Sequence, residues 1–180
     1  MRPNFLLTTL TVLLASGCNN DGIGTRLFDV RYDPINVIIP AGQQAGVQWV
    51  LGIDRFPARF LNEMRDAGVT ADEIDAVYGS RARLTSLTGE DFRQIEGLEI
   101  RACPVGSPGG CDPLSRVFSM RDLYGRRQAT IDINPAPPNL RDLFLTDELI
   151  RVEFIVIPGE TTNRTIEARL EWSVGAFGFE

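Results

Sequence analysis

The chain has 180 residues, 43% of them apolar and 23% charged, which suits one globular domain and excludes a disordered or low-complexity chain. It contains no histidine, and all 18 basic residues are arginine, so a Ser-His-Asp triad, a Cys-His pair, a histidine-ligated zinc, a P-loop lysine and a Schiff base are excluded. The formal net charge of -6 opposes phosphate backbones, so nucleic acid is not an expected partner.

The chain opens with Met1 and Arg2, then an apolar run from Phe5 to Ala15 that is too short to span a bilayer comfortably. The run ends in Leu14-Ala15-Ser16-Gly17-Cys18, with small residues directly before a cysteine. This pattern resembles the lipobox of bacterial lipoproteins, with Ala15 where leucine is commonest. The resemblance implies cleavage before Cys18, acylation of that cysteine and attachment to a membrane. No aspartate follows Cys18 directly, and by resemblance to enteric sorting rules this implies the outer membrane. Residues 1–17 then form a signal peptide, 18–25 the lipidated cysteine and its polar tether, and 26–180 a single β-sandwich domain.

Along the body, Leu27–Tyr32 and Asn36–Ile39 read as strands, and Val47–Ile53 resumes strand character after a turn. Pro57 to Gly68 reads as a helix, with proline in the first turn, Phe60, Leu61 and Met64 on one face, and Gly68 as the stop. Thr70-Ala71-Asp72-Glu73 has the spacing of a capping box. Ala82–Leu87, Leu98–Ala102, Arg116–Met120 and Ala129–Ile133 are further strands, and Asn139 to Phe144 is a short helical turn with Asn139 as its cap.

With Cys18 lipidated, Cys103 and Cys111 remain, bracketing the turn-rich stretch Pro-Val-Gly-Ser-Pro-Gly-Gly. An exported pair so placed is expected to form a disulfide.

Leu149–Ile157 and Thr165–Val174 are the best strands in the chain, and Pro158–Asn163 between them predicts a hairpin. Arg151 and Glu153 would then pair across it with Glu167, Arg169 and Glu171 on a solvated face. Phe154 and Trp172 are expected in the core, while Ile155 and Ile157 predict that part of the second face of the first strand is covered. The fold expected is mainly β, an antiparallel sandwich of immunoglobulin-like or related type with a short helical insert. Ala82-Arg83-Leu84-Thr85-Ser86-Leu87, Asp91-Phe92, Leu98-Glu99-Ile100, Asn139–Phe144 and the closing strands resemble small uncharacterised β-sandwich lipoproteins of Gram-negative envelopes. That resemblance implies fold and compartment and no activity.

No glycine-rich phosphate cradle or Gly-x-Ser-x-Gly elbow is present, and Ser107 and Ser119 lack a base. Glu90-Asp91 and the Asp72, Glu73, Asp75 group read as a solvated loop and a capped turn, and neither matches a calcium loop. Trp49 and Trp172 each sit in an apolar run, which favours core packing over a carbohydrate platform. The function expected is a non-catalytic envelope lipoprotein, a binding or structural module whose partners are a membrane, through the lipid anchor, and a protein or glycan. The alternatives are a carboxylate-dependent glycan hydrolase and a carbohydrate-binding module using an exposed Trp. Nothing in the sequence calls for a cofactor, a metal or a catalytic residue.

Overall fold

The computed structural model describes residues 24–179. The leader, Cys18 and most of the tether lie outside the described residues. Nine strands follow in chain order with two short helices: β1 (Thr25–Arg31), β2 (Ile35–Ile39), β3 (Trp49–Pro57), α1 (Phe60–Asp66), β4 (Ala76–Ser86), β5 (Ile95–Pro104), β6 (Arg116–Met120), β7 (Thr130–Ile133), α2 (Arg141–Thr146), β8 (Leu149–Pro158) and β9 (Ile166–Gly178).

All strand pairs are antiparallel, and they form two sheets. One has the order β1-β9-β4-β7, with β2 continuing the β1 edge along β9; the other is β3-β8-β5-β6. The sandwich expected from the sequence is therefore present. β1 and β2 share one sheet and β5 and β6 the other, and all remaining steps along the chain change sheet, which is the winding of a jelly roll rather than of an immunoglobulin sandwich.

The predicted hairpin is corrected. β8 and β9 do not pair; the 159–165 connection carries the chain from one sheet to the other. The physical reason is that each strand is central in its own sheet. β9 is held by β1 and β2 on one side and β4 on the other, and β8 by β3 and β5. Each buries an apolar face between the sheets: Ile150, Val152, Phe154 and Val156 from β8, and Ile166, Ala168, Leu170, Trp172, Val174 and Ala176 from β9. The outer positions Ile155 and Ile157 of β8 are buried as well, so its second face is covered. The expected Arg–Glu pairing across the two strands falls with the hairpin. Arg151 instead pairs with Glu153 on its own strand (2.8 Å) and with Asp54 of β3 (2.5 Å).

Pro57 is also corrected. It ends β3 rather than opening a helix, and pairs with Leu149 at the sheet edge. An edge position tolerates a residue without an N–H. The helix begins after Arg59, whose φ of 55° breaks the strand, and Gly68 ends the segment in the left-handed region (φ 69°). The Thr70 turn forms as read: its N–H donates to the Glu73 carboxylate (2.7 Å), and this bond holds that acid below the usual carboxylate range.

The winding sorts the connections to two poles. α1, the Cys103–Cys111 loop, α2 and both ends of the described chain share one pole. Gly178 lies opposite Thr25, and Phe177 opposite Ala76, where β4 starts. Asn139 pins α2 there: its side-chain oxygen accepts from the Val77 and Arg141 N–H groups (both 3.0 Å), and its amide donates to the Asp75 carbonyl (3.0 Å). The opposite pole gathers four loops, 40–48, 87–94, 121–129 and 159–165. Two buried polar residues tie them. The Gln94 amide donates to Glu160 (2.9 Å), and its carbonyl oxygen accepts from the Asn163 N–H (3.3 Å). The Thr162 hydroxyl donates to the Pro40 carbonyl (2.9 Å) and accepts from the Gln43 N–H (2.8 Å).

Thr162→Val keeps the shape and leaves both of those backbone groups without the hydroxyl, so it is expected to destabilise the domain by about 1–3 kcal/mol. The measurement is the urea unfolding midpoint with an unchanged denaturant slope; an unmoved midpoint would show that the loop cluster does not depend on this residue.

Candidate functional site

The two outer faces of the sandwich differ. On the β3-β8-β5-β6 sheet, acids and arginines are buried together. Glu99 is 1% exposed, and its carboxylate receives Arg101 (2.5 Å) on one oxygen, with Arg121 and Arg116 (3.8 Å) on the other. Glu153 is 5% exposed and accepts from Arg151 and from the Cys111 N–H (3.1 Å). Two arginines lie flat on this sheet where the strand below has no side chain, Arg151 over Gly52 and Arg121 over Gly97.

The Cys103–Cys111 loop seals part of this face. The two cysteines are bonded, with their Cα atoms 5.4 Å apart. Besides the Cys111 N–H bond to Glu153, the Cys111 carbonyl accepts from Arg101 (3.3 Å). Gly110 allows the close approach: its φ is +94°, and a Cβ there would stand 2.5 Å from a Glu153 oxygen. Glu99 and Glu153 are the buried acids a carboxylate-dependent hydrolase would use, yet each is engaged by guanidinium and neither lines an open groove. Glu99 carries arginine on both oxygens, and Glu153 carries arginine on one and the Cys111 N–H on the other, so the two acids belong to a structural ion network.

The outer face of the other sheet is open, and its side chains fall in cross-strand rows. In one row Arg31 of β1, Ser173 of β9 and Arg81 of β4 are direct neighbours. Strands stand roughly 4.8 Å apart, so the two arginines are anchored about 10 Å from one another with a small hydroxyl between. Towards the chain ends, the next row holds Asp29, Gly175 and Tyr78, and beyond it Arg26 faces Phe177. In the other direction Glu171 faces Arg83, which forks onto Asp132 of β7 (2.7 and 2.9 Å).

These rows border two adjoining concavities. A polar cleft of about 550 Å³ is lined by Arg26, Arg31, Arg81, Asp29, Ser173 and Trp172, among others. An apolar groove of about 620 Å³ is lined by Tyr78, Phe177, Pro135, Ala136 and Pro137. The two share Arg26 and Ser80. Arg26 is already committed, since it pairs with Asp29 (3.0 Å), bonds the Ser80 hydroxyl and lies 5.8 Å over the Phe177 ring. Arg31 and Arg81 enter no ion pair among the described residues. The Trp172 side chain is 3% exposed, and its indole N–H has no partner among the described residues. Guanidinium forks beside a hydroxyl are the equipment for holding an anion, and the adjoining aromatic groove suits an apolar surface.

The residues singled out from sequence are placed as follows. Trp172 stacks on Tyr32 inside the core (4.2 Å between ring centroids), where burial pushes the Tyr32 hydroxyl well up and that hydroxyl donates to the Ala58 carbonyl (3.0 Å). Trp49 is half-buried against the same core. An exposed-Trp platform is thus not available from Trp172, because alternate positions of β9 face inward. Tyr78 and Phe177 are the aromatics on the outer face. Glu90 and Asp91 form a clamp on Arg164 rather than a solvated loop. Among the described residues no three Cys, Asp or Glu side chains are grouped to hold a metal ion. The Arg31–Ser173–Arg81 row escaped the sequence reading, because its members are joined only by strand register.

No protein-family model matches the chain, and no curated protein matches it in sequence. Among solved structures it is similar to that of Desmodium yellow mottle tymovirus, at 8% identity and a TM-score of 0.35, covering 100% of this chain and 97% of that one. It is similar to Cocksfoot mottle virus at 9% identity and a TM-score of 0.29, with the same coverage. It is similar also to a latent aurone synthase, a polyphenol oxidase, at 10% identity and a TM-score of 0.31, covering 77% of this chain and 26% of that one.

Gly110→Ala sets a methyl against the Glu153 carboxylate at a positive φ. It is expected to lower stability by about 1–3 kcal/mol. Thermal unfolding checks this, and a variant as stable as the parent would show that the disulfide loop does not rest on Glu153. A second expectation concerns acid. The Arg83 fork holds the Asp132 carboxyl below its usual range. A depressed folded pKa gives stability that is present above the ordinary carboxylate pKa and lost as pH falls through the depressed value. The effect is small, since the pair is exposed. Asp132→Asn should flatten that part of the acid dependence in urea titrations from neutral to acid pH, and an identical profile would remove the pair from the account.

Proposed function

We propose that the chain is a membrane-tethered, non-catalytic lipoprotein of the bacterial envelope whose jelly-roll domain binds a ligand on the open face of the β1-β9-β4-β7 sheet. The observation that carries the reading is the run Leu14-Ala15-Ser16-Gly17-Cys18 followed by a polar tether into β1. The two faces of the domain support the binding half of it. The buried acids are consumed by arginines on one face, and unpaired arginines line a cleft on the other.

The tether also sets an orientation. Cys18 precedes Gly24 by six residues, and such a chain reaches at most about 20 Å. An acyl group on Cys18 therefore keeps the pole of α1, α2 and the disulfide loop next to the bilayer. The four-loop pole faces away, and the cleft lies on the flank, where a ligand reaches it without crossing the membrane surface. Outer-membrane sorting is the destination consistent with the absence of aspartate after Cys18.

Cys18→Ser is expected to move the protein from the membrane fraction to the soluble envelope fraction and to remove the acyl mass from the mature chain. Detergent phase separation and intact-mass measurement check it. Partitioning unchanged by the substitution would sink the lipoprotein reading.

A further inference from the structure

We propose that the Arg31–Ser173–Arg81 row is the recognition element for the carboxylate of an acidic sugar, with the sugar ring seated against Tyr78 and Phe177. The inference deepens the binding-module reading above by naming the ligand class of the same face.

The row sets two unpaired arginines in one cleft. Two guanidinium groups flank a serine across three neighbouring strands, and among the described residues neither has a carboxylate partner. Two guanidinium groups anchored about 10 Å apart repel one another only weakly across solvent, and an anion held between them would be attracted to both. Arg83 is matched to Asp132, Arg151 to Asp54 and Glu153, and Arg164 to Glu90; Arg55, Arg65, Arg126, Arg127 and Arg169 also enter no ion pair among the described residues, but none of them lines this cleft. The buried Trp172 indole N–H has no partner among the described residues, and its side chain belongs to the core and also borders the cleft.

The rest of the lining narrows the anion. Asp29 and Glu171 line the cleft together with the arginines. They oppose a doubly charged phosphate more than a singly charged carboxylate. A guanidinium fork also matches the planar carboxylate geometrically. The adjoining groove then selects what carries the carboxylate. Tyr78 and Phe177, with ring centroids 6.0 Å apart, and Pro135 and Pro137 offer an apolar surface bordered by the Ser80 hydroxyl. A pyranose has this dual character, with C–H faces that stack on aromatics and hydroxyls at its rim. An extended peptide fits less well. Arg31, Ser173 and Arg81 present side chains from the sheet face, whereas strand addition would use the backbone of the edge strand β1.

The test uses the full-length protein in detergent, titrated calorimetrically with trigalacturonate and triglucuronate, and with trigalacturonate methyl-esterified at every carboxyl. At least one free acid is expected to bind, and its binding should weaken as salt is raised. The ester should bind roughly tenfold or more weakly, as should Arg31→Gln and Arg81→Gln against the free acid, each with an unchanged melting temperature. Tyr78→Ala should weaken both acid and ester, which a purely electrostatic contact would not do. The proposal is overturned if neither uronate binds, if ester and acid bind alike, or if the arginine variants bind as the parent does. An acidic peptide that binds through the same arginines while the uronates do not would reassign the cleft to a protein partner. Cys18-dependent membrane attachment is read separately, so loss of the sugar inference leaves the lipoprotein reading standing, and the converse.

Discussion

The central position of β8 and β9 in opposite sheets is the constraint on which the rest of this structure depends. Each strand has neighbours on both edges, and each presents an apolar stripe to the space between the sheets. Once the two are assigned to different sheets, their connection must cross the sandwich, and the 159–165 loop has to travel with three other loops at one pole. A loop in that position cannot be a tight turn. It needs polar partners from its neighbours, and Thr162 and Gln94 supply them from within the cluster. The same alternation brings both ends of the described chain to the other pole. Topology, loop chemistry and the nearness of the two ends of the described chain thus follow from one choice of strand partners.

The burial of β8 on both faces has a second consequence. Its outer face carries Arg151 and Glu153, and charges in that position require partners and a cover. Guanidinium groups laid over glycines provide the partners, and the disulfide-closed loop provides the cover. The disulfide does more than close a short loop, because Cys111 is itself the backbone donor to Glu153. Removing either element exposes the other. This interdependence explains a turn-rich loop whose residues touch the least exposed acids of the sheet.

Much of the fold was legible in the sequence where the signal is local. β6, β2, β7 and β8 stand within a residue or so of the alternating or apolar runs that predicted them, and the Cys103–Cys111 loop was marked by its turn residues. The capping pattern at Thr70 was readable for the same reason, since donor and acceptor lie three residues apart. What was not legible is pairing. Pro158-Gly159 looks like a hairpin signal, and only the partners of β8 and β9, more than forty residues away in sequence for β5 and β4, show that it is not. Ile155 and Ile157 hinted at a strand with two covered faces, which is the mark of a central strand, but they do not say what covers it. Pro57 was misread because proline suits both a first helical turn and an edge strand.

The candidate site illustrates the same limit more sharply. Arg31, Arg81 and Ser173 are unremarkable one at a time, and each belongs to a strand whose alternation places it outward. Their meaning comes from register: the bulge between Gly79 and Arg81 lets Ser80 and Arg81 both reach the outer side, and sets Arg81 rather than Ser80 against Ser173. A β-bulge re-aims side chains in this way. Arg83, one row further along, finds a carboxylate across the strand in Asp132. Of the described arginines that enter no ion pair, only Arg31 and Arg81 line this cleft, around one hydroxyl, and that placement separates the open face, where a ligand is proposed to bind, from the sealed structural face behind it.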